Sequence, residues 1–256
     1  MTDRQKLWLR MDRTKAGYRR AFRPLFVSAL NKQIIPVLDL IEDANDIRDL
    51  EHFEVDNTAI EAVYRKMYLT TVTDFAKKKR AGLRKFLTKG DDEVFEDLIN
   101  DKALTYLRVY GGETITAAGS TSLKLVKEMV RQITAEIIER NLTASEGTIL
   151  LRDQLSSEWH KAARWRTERI VRTEVNRASN YGSLEGMKSI GVPMLKTWLS
   201  AFTEKSRPEH MDADGQKVAL DDTFLIGSEK LQYPGDPTGS SGQTVNCLCT
   251  LYESLQ

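Results

Sequence analysis

The chain has 256 residues, 41% of them hydrophobic and 29% charged, which excludes a disordered chain and suits one large or two modest domains. Thirty-eight Lys and Arg against 37 Asp and Glu leave a net charge of +1, too small a basic excess for a general nucleic-acid coat protein. Two cysteines, Cys247 and Cys249, cannot frame a disulfide-stapled fold and are too close to bridge each other without strain, so free or metal-bound thiols in a reducing compartment are expected.

The first residues are basic but have no apolar core behind them, unlike a secretion signal. The richest apolar stretch, Leu25 to Ile41, is interrupted by Asn31, Lys32, Gln33 and Pro36 and falls short of an uninterrupted span of ~18–20 residues. A soluble chain made in the cytosol is the expectation. Its near neutrality hides strong blocks. Residues 1–32 carry nine basic and two acidic groups, and residues 39–62 carry nine acids and one Arg. Residues 65–85 hold eight basic groups and one acid, and residues 89–101 hold six acids and one Lys. Such blocks belong on neighbouring helices that attract one another within a Debye length, or on solvated faces. The sharpest run, Lys77, Lys78, Lys79, Arg80, Arg84 and Lys85, is flanked by Phe75 and Phe86 and is the candidate for contact with DNA phosphates.

Up to residue 155 the pattern predicts helices. Only Pro24 and Pro36 interrupt it, and the stripe Ile60, Val63, Tyr64, Met67, Tyr68, Val72, Phe75 has the helical period. Asp56 or Asn57 should cap that helix, and Gly90 with Asp91 should end it. Breaks are expected at Gly111-Gly112 and between Asn141 and Gly147. After residue 190 the composition changes: four of the six prolines lie there, with turn signals at Asp212-Ala213-Asp214-Gly215 and Pro234-Gly235-Asp236-Pro237. Short strands are predicted at Met194–Leu199, Gln216–Leu220 and Val245–Tyr252. The expected class is α+β: a helical assembly domain over residues 1–155, then a small, loop-rich module over 156–256.

The helix that opens the module, Trp165 to Ile190, carries a narrow polar stripe. Arg169, Thr173, Asn176 and Asn180 fall within a sector of about 60°. That stripe is either a solvated face or a seam where the helical domain docks. Glu174 lies about 140° from Arg169, inside the apolar sector, where a carboxylate must be paired or hydrogen-bonded. It reads either as a structural acceptor pinning a following loop or as a metal or acid–base group. In the predicted last strand, Cys247 and Cys249 project to one face, a pincer suited to zinc, with His210 as third ligand and Asp214, Asp212 or Glu174 as fourth. Two buried structural thiols are the alternative. His52 and His160 read as surface residues. No nucleotide-binding or hydrolase signature is present.

In order, the C-terminal residues run Arg172-Thr173-Glu174, Asn176, Asn180, Gly191, Trp198, Arg207-Pro208-Glu209-His210, Asp214-Gly215, Phe224, Pro234-Gly235-Asp236-Pro237 and Asn246-Cys247-Leu248-Cys249. This series resembles the Mu F-like minor head protein family of tailed phages, the head-morphogenesis domain, over about residues 150–256. The resemblance implies a minor capsid component rather than an enzyme. Such a component contacts the portal protein, and coat or scaffold proteins, during procapsid assembly and assists packaging or ejection of double-stranded DNA. It implies neither a membrane nor a small-molecule substrate. The expected locations are the host cytoplasm during assembly and then the virion, inside the head near the portal. Zinc at His210, Cys247 and Cys249 would be structural. Leu248 departs from the family, which usually has Arg there. The rival readings are a metal-dependent nuclease or transferase using Glu174, His210 and the cysteine pair, and a free-standing DNA-binding module.

Overall fold

The computed structural model describes residues 1–43, 53–84 and 95–254. The expectations placed on His52, Lys85, Phe86, Gly90 and Asp91 lie outside the described residues. In chain order the elements are α1 (Asp3–Lys32), α2 (Ile35–Asp43), α3 (Thr58–Gly82), α4 (Phe95–Tyr106), a π-helical turn (Leu107–Gly111), α5 (Gly112–Glu139) and α6 (Ala144–Lys188). There follow β1 (Leu195–Leu199), α7 (Pro208–Asp212), β2 (Lys217–Ala219), β3 (Phe224–Ile226), β4 (Glu229–Leu231), α8 (Ser241–Thr244) and β5 (Thr250–Ser254). The class is α+β, as expected.

The chain forms two compact units: residues 1–22, 65–110 and 169–256 make one, and residues 23–64 and 111–168 the other. The division expected after residue 155 falls inside α6, and both units are assembled from separate stretches of chain. Local chemistry sets the helix ends. Asp56 accepts the Thr58 N–H at 2.9 Å, starting α3 as expected. Thr143 and Glu146 form a reciprocal capping box that starts α6: the Thr143 N–H donates to the carboxylate at 2.9 Å and the Glu146 N–H to the hydroxyl at 3.3 Å. Asn141, at φ 51°, makes the turn before it. The break expected at Gly111-Gly112 is absent. The chain stays helical through the π turn Leu107–Gly111, and α5 begins directly at Gly112.

The second unit is helical. Its core gathers Val37 and Ile41 of α2, Val126, Val130 and Ile133 of α5, and Leu151, Leu155 and Trp159 of α6. By length and mean hydropathy, the segment Asp3–Glu42 contains one window (mean hydropathy 1.3) apolar enough to cross a membrane, more than its interruptions suggested. The turn at residues 33 and 34 divides it, and Phe26, Leu30, Ile34, Val37 and Ile41 are buried, as in a core helix. A buried polar chain threads this unit. Gln33 donates to Asn57 at 2.7 Å and accepts from the Ser122 hydroxyl at 2.7 Å, which in turn accepts from Arg166 at 2.7 Å.

The first unit holds the five strands found among the described residues. β1 is the centre of an antiparallel sheet ordered β2-β1-β5, with Trp198 opposite Leu251, and β3 and β4 form a separate hairpin. β1 and β2 sit where the alternation placed them. β5 is shorter than expected, beginning at Thr250, so both cysteines precede it in extended chain. The β3–β4 hairpin was not anticipated. Its two-residue Gly227-Ser228 turn, with Gly227 at φ 59°, is the signal that marks it.

Within this unit α6 passes very close to α3. A Cβ built on Gly182 would lie 2.4 Å from the Val72 carbonyl oxygen, and one on Gly186 2.6 Å from that of Ala76. Two glycines four residues apart thus face a Val and an Ala four residues apart, and backbones meet directly. Gly182→Ala and Gly186→Ala are each expected to destabilise the protein by about 1–3 kcal/mol, because the helices must separate. Gly17→Ala, with open space around it, should instead stabilise by roughly 0.5–1 kcal/mol. Urea denaturation of the three variants measures the contrast.

Candidate metal centre and the polar core beside it

From Thr173 to Asn180, α6 is buried on every side, polar residues included. The stripe expected to face solvent or a docking seam is therefore an interior surface of the first unit, and only Arg169, at its start, is exposed. Every stripe residue beyond it binds a neighbouring segment. The Thr173 hydroxyl accepts the Asn246 N–H at 3.0 Å, holding the left-handed residue (φ 59°) that turns the chain into Cys247. Asn180 donates to the carbonyls of Pro234 at 2.8 Å and Cys249 at 3.1 Å, and accepts from the Thr250 hydroxyl at 3.0 Å. Asn176 accepts from Lys15 at 2.7 Å.

Lys15 is the group that sequence reading missed. It comes from α1, 1% exposed, and its ammonium also reaches Asn180 at 3.2 Å and the Cys249 carbonyl at 3.4 Å. Three acceptors match the three donors of an ammonium. Burial pulls its pKa down to about 7, partly opposed by the nearby Cys247, Asp12 and Cys249. Nothing local in α1 marks this lysine; only its partners, more than 160 residues away, give it a role. Trp8 behaves likewise, its indole N–H donating to the Leu248 carbonyl at 3.0 Å. Leu248, where the family usually has Arg, packs against the apolar core around Trp8 and Trp198.

Glu174 is buried and fully engaged. Both oxygens accept from Arg177 at 3.1 Å, and the Tyr68 hydroxyl donates at 2.5 Å. Arg177 in turn donates through Nε to the Gly235 carbonyl at 2.8 Å. The carboxylate therefore pins the Pro234-Gly235-Asp236-Pro237 loop to α6 through a guanidinium, the structural alternative stated for it. Desolvation, and then the charge of Glu174, hold the Tyr68 phenol well above its usual range, so it stays a donor. Arg177 was missed, although it stands one helical turn from Glu174, the spacing of an ion pair.

The cysteines and histidine do converge. His210 Nδ1 lies 3.3 Å from Cys249 Sγ and 3.6 Å from Cys247 Sγ, and all three side chains are 2% exposed. α7, begun by Pro208, supplies the histidine. Arg207 of the same turn donates to the Val245 carbonyl at 2.7 Å and so fixes the incoming cysteine segment. Ligands of tetrahedral zinc at Zn–S of about 2.3 Å and Zn–N of about 2.0 Å stand about 3.6 Å apart, close to the spacing seen. The Gln243 side-chain oxygen lies 2.8 Å from His210 Nε2 and can take the proton there, leaving Nδ1 as the lone pair aimed at the sulfurs. The donor set thus suits a soft divalent metal. Without one, Cys249 is held well below its usual range by the Cys247 thiol, with burial opposing and His210 assisting.

Asp214 does not join this group. One oxygen accepts the Ser200 N–H at 2.9 Å and the other pairs with Arg4 at 2.9 Å. Among the described residues Glu174 and Asp212 are also outside the cluster of His210, Cys247 and Cys249. The basic run is largely consumed within its own unit. Lys77 pairs with Glu96 at 2.7 Å and Lys79 with Glu253 at 2.5 Å. Lys78 donates to the Tyr18 hydroxyl at 2.9 Å, and Arg80 is buried, donating to the Ser189 carbonyl at 3.1 Å with its guanidinium over Phe95. Arg84 alone of the described five is exposed without such a contact. His160 is exposed as expected, though within α6 rather than at a helix start.

Arg177→Met leaves a buried carboxylate unpaired and should cost about 3–5 kcal/mol. Adding Glu174→Gln should recover a large part of that loss, since the stranded charge is removed. A double-mutant cycle read by chemical denaturation tests both statements.

A family model described as Phage Mu protein F like protein matches residues 117–252. Over 88 residues the chain is 32% identical to the NAD(+)--arginine ADP-ribosyltransferase EFV of Enterococcus faecalis, covering 33% of this chain and 18% of that protein. Over 128 residues it is 30% identical to the uncharacterized protein YqbB of Bacillus subtilis, covering 48% of this chain and 40% of that one. The chain thus spans less than half the length of either relative. No solved structure matches it. The matched span takes in more than half of the sequence, and with it Glu174, Arg177, His210 and both cysteines. The chain belongs to the Phage Mu protein F-like family of phage head-morphogenesis proteins.

Proposed function

We propose that the protein is a minor head component of a tailed phage that contacts the portal vertex during procapsid assembly and assists DNA packaging or ejection. It would assemble in the host cytoplasm and stay in the virion, inside the head near the portal. Membership of the head-morphogenesis family carries this reading. The character of the motif residues supports it: Thr173, Glu174, Asn180, Arg207 and His210 spend their polar groups on holding the C-terminal loops in place. Groups spent in this way are not free for turnover, and we read the protein as a structural component rather than an enzyme. The named activity of the E. faecalis relative belongs to a protein of which this chain matches 18%. The His–Cys–Cys cluster is too deeply buried to present a nucleophile.

Zinc, if bound by His210, Cys247 and Cys249, would serve as a cross-link between α7 and the segment leading into β5, with Gln243 orienting the imidazole. Purified protein should then contain about one zinc per chain, and a strong chelator should lower its melting temperature. Cys249→Ser should abolish the metal, whereas Gln243→Ala should weaken it by about 10- to 100-fold. Metal analysis and thermal denaturation check these outcomes; a chain without metal and indifferent to the chelator would refute the zinc assignment.

The assembly role is tested by co-expression with the portal, coat and scaffold proteins of the same phage. The protein should co-purify with portal complexes and be retained in procapsids assembled with portal. Exclusion from both would overturn the proposal. Detectable nuclease or transferase turnover abolished by both Glu174→Gln and His210→Ala would instead establish the enzyme reading.

A further inference from the structure

The second unit carries a groove with a cavity volume of about 830 Å³, cut between the end of α1, the start of α2 and residues 160–164 of α6. Its apolar surface comes from Pro24, Val27, Ile34 and Leu38, with Ile35, 48% exposed, at the edge. Lys32 and Arg164 stand on its walls, both exposed and without an ion-pair partner among the described residues. Arg23 also lines it, but pairs with Glu168. Among the described residues no carboxylate lines the groove. The chain as a whole is balanced in charge, so an apolar trough whose described charged side chains are all cations is a local departure from the average surface.

The lining follows helical spacing. Arg23, Val27 and Asn31 form one i,i+4 ridge on α1, and His160 and Arg164 another on α6. From Arg23 to Asn31 the α1 wall runs about 12 Å, a little over two helical turns. An apolar floor of this length bordered by helical ridges accepts a helix laid along it, and flanking cations select its charge. DNA would gain nothing from the apolar floor, because its phosphates need cations spaced along an open face.

We propose that this groove docks an amphipathic helix of a partner protein whose apolar face is flanked by Asp or Glu. The inference goes beyond the assembly role and does not depend on it. The apolar face covers Pro24, Val27, Ile35 and Leu38, and the acidic flanks meet Lys32 and Arg164. Charge sets the choice of helix, and the floor supplies the affinity.

A displayed library of helical peptides, with an apolar face held constant and flanking positions randomised, is selected against the whole protein. Clones still bound by a Lys32→Glu/Arg164→Glu variant are subtracted; both sites are exposed, and circular dichroism confirms folding. Enriched clones should carry Asp or Glu at the flanks, bind the wild type at least about tenfold more tightly than the variant, weaken with added salt and lose affinity on Ile35→Ser. Enrichment of basic or uncharged flanks, or no binding that depends on the groove residues, overturns the proposal. So does groove-dependent binding of a 20-base-pair duplex or of anionic vesicles in preference to the peptides. A sedimentation experiment in which Ile35→Ser abolishes self-association would likewise assign the groove to a second copy of this chain and overturn it.

Discussion

A helix buried on all sides needs partners for the polar groups it carries, and α6 between Thr173 and Glu185 carries many; among those described, the Asn176 amide nitrogen stands without one. In water these side chains would cost nothing; in the interior each unpaired donor or acceptor is expensive. The surrounding segments are arranged around that requirement. Lys15, Pro234, Gly235, Asn246, Cys249 and Thr250 each give or take a hydrogen bond from the helix. Apolar packing alone would leave loops as long as these free to choose among many arrangements. A polar lock of this kind selects one, because a shifted loop leaves several groups unpaired at once.

The His–Cys–Cys cluster is a product of the same lock. Cys249 is set by Asn180 and Lys15 through its carbonyl, Asn246 by Thr173, and the preceding Val245 by Arg207. The sulfurs are thereby brought to His210, with the pairing of Thr250 to Leu199 and the Ala201 N–H on Cys249 Sγ at 3.4 Å holding the far side. Residues that stand out as a motif in the sequence hold loops in place: Thr173 bonds Asn246, Arg177 beside Glu174 bonds Gly235, and Arg207 bonds Val245. Their order along the chain reflects which loop each one holds.

Much of this was legible in the sequence, and the reason differs between elements. Helices such as α3 announce themselves by an unbroken 3.6-residue stripe and a capping Asp. The convergence of His210 with the cysteines follows from their chemistry. Glu174 was legible as buried because its position on the wheel leaves few alternatives. What could not be read is long-range. Lys15 sits in a helix of mixed charge that looks solvated, and nothing near it specifies three acceptors contributed by α6 and the β5 approach. The solvated-face alternative for the polar stripe failed for a related reason: amphipathicity locates an interior by apolar residues, and this interior is polar; Lys15 of α1, donating to Asn176 and Asn180, is the kind of contact the docking-seam alternative called for. The two discontinuous units were equally hidden, since α1, α3 and α6 each run from one into the other and no composition change marks the crossing.

The attachment of Trp8 and Lys15 to the cysteine segment spans more than 230 residues of chain. Closing so long a loop is entropically costly and becomes possible only once residues 247–254 have been synthesised. Lys15 can meet Asn176 and Asn180 as soon as α6 is made. Its third acceptor and the acceptor of the Trp8 indole lie at residues 249 and 248, so α1 completes its bonds only after the segment leading into β5 has emerged.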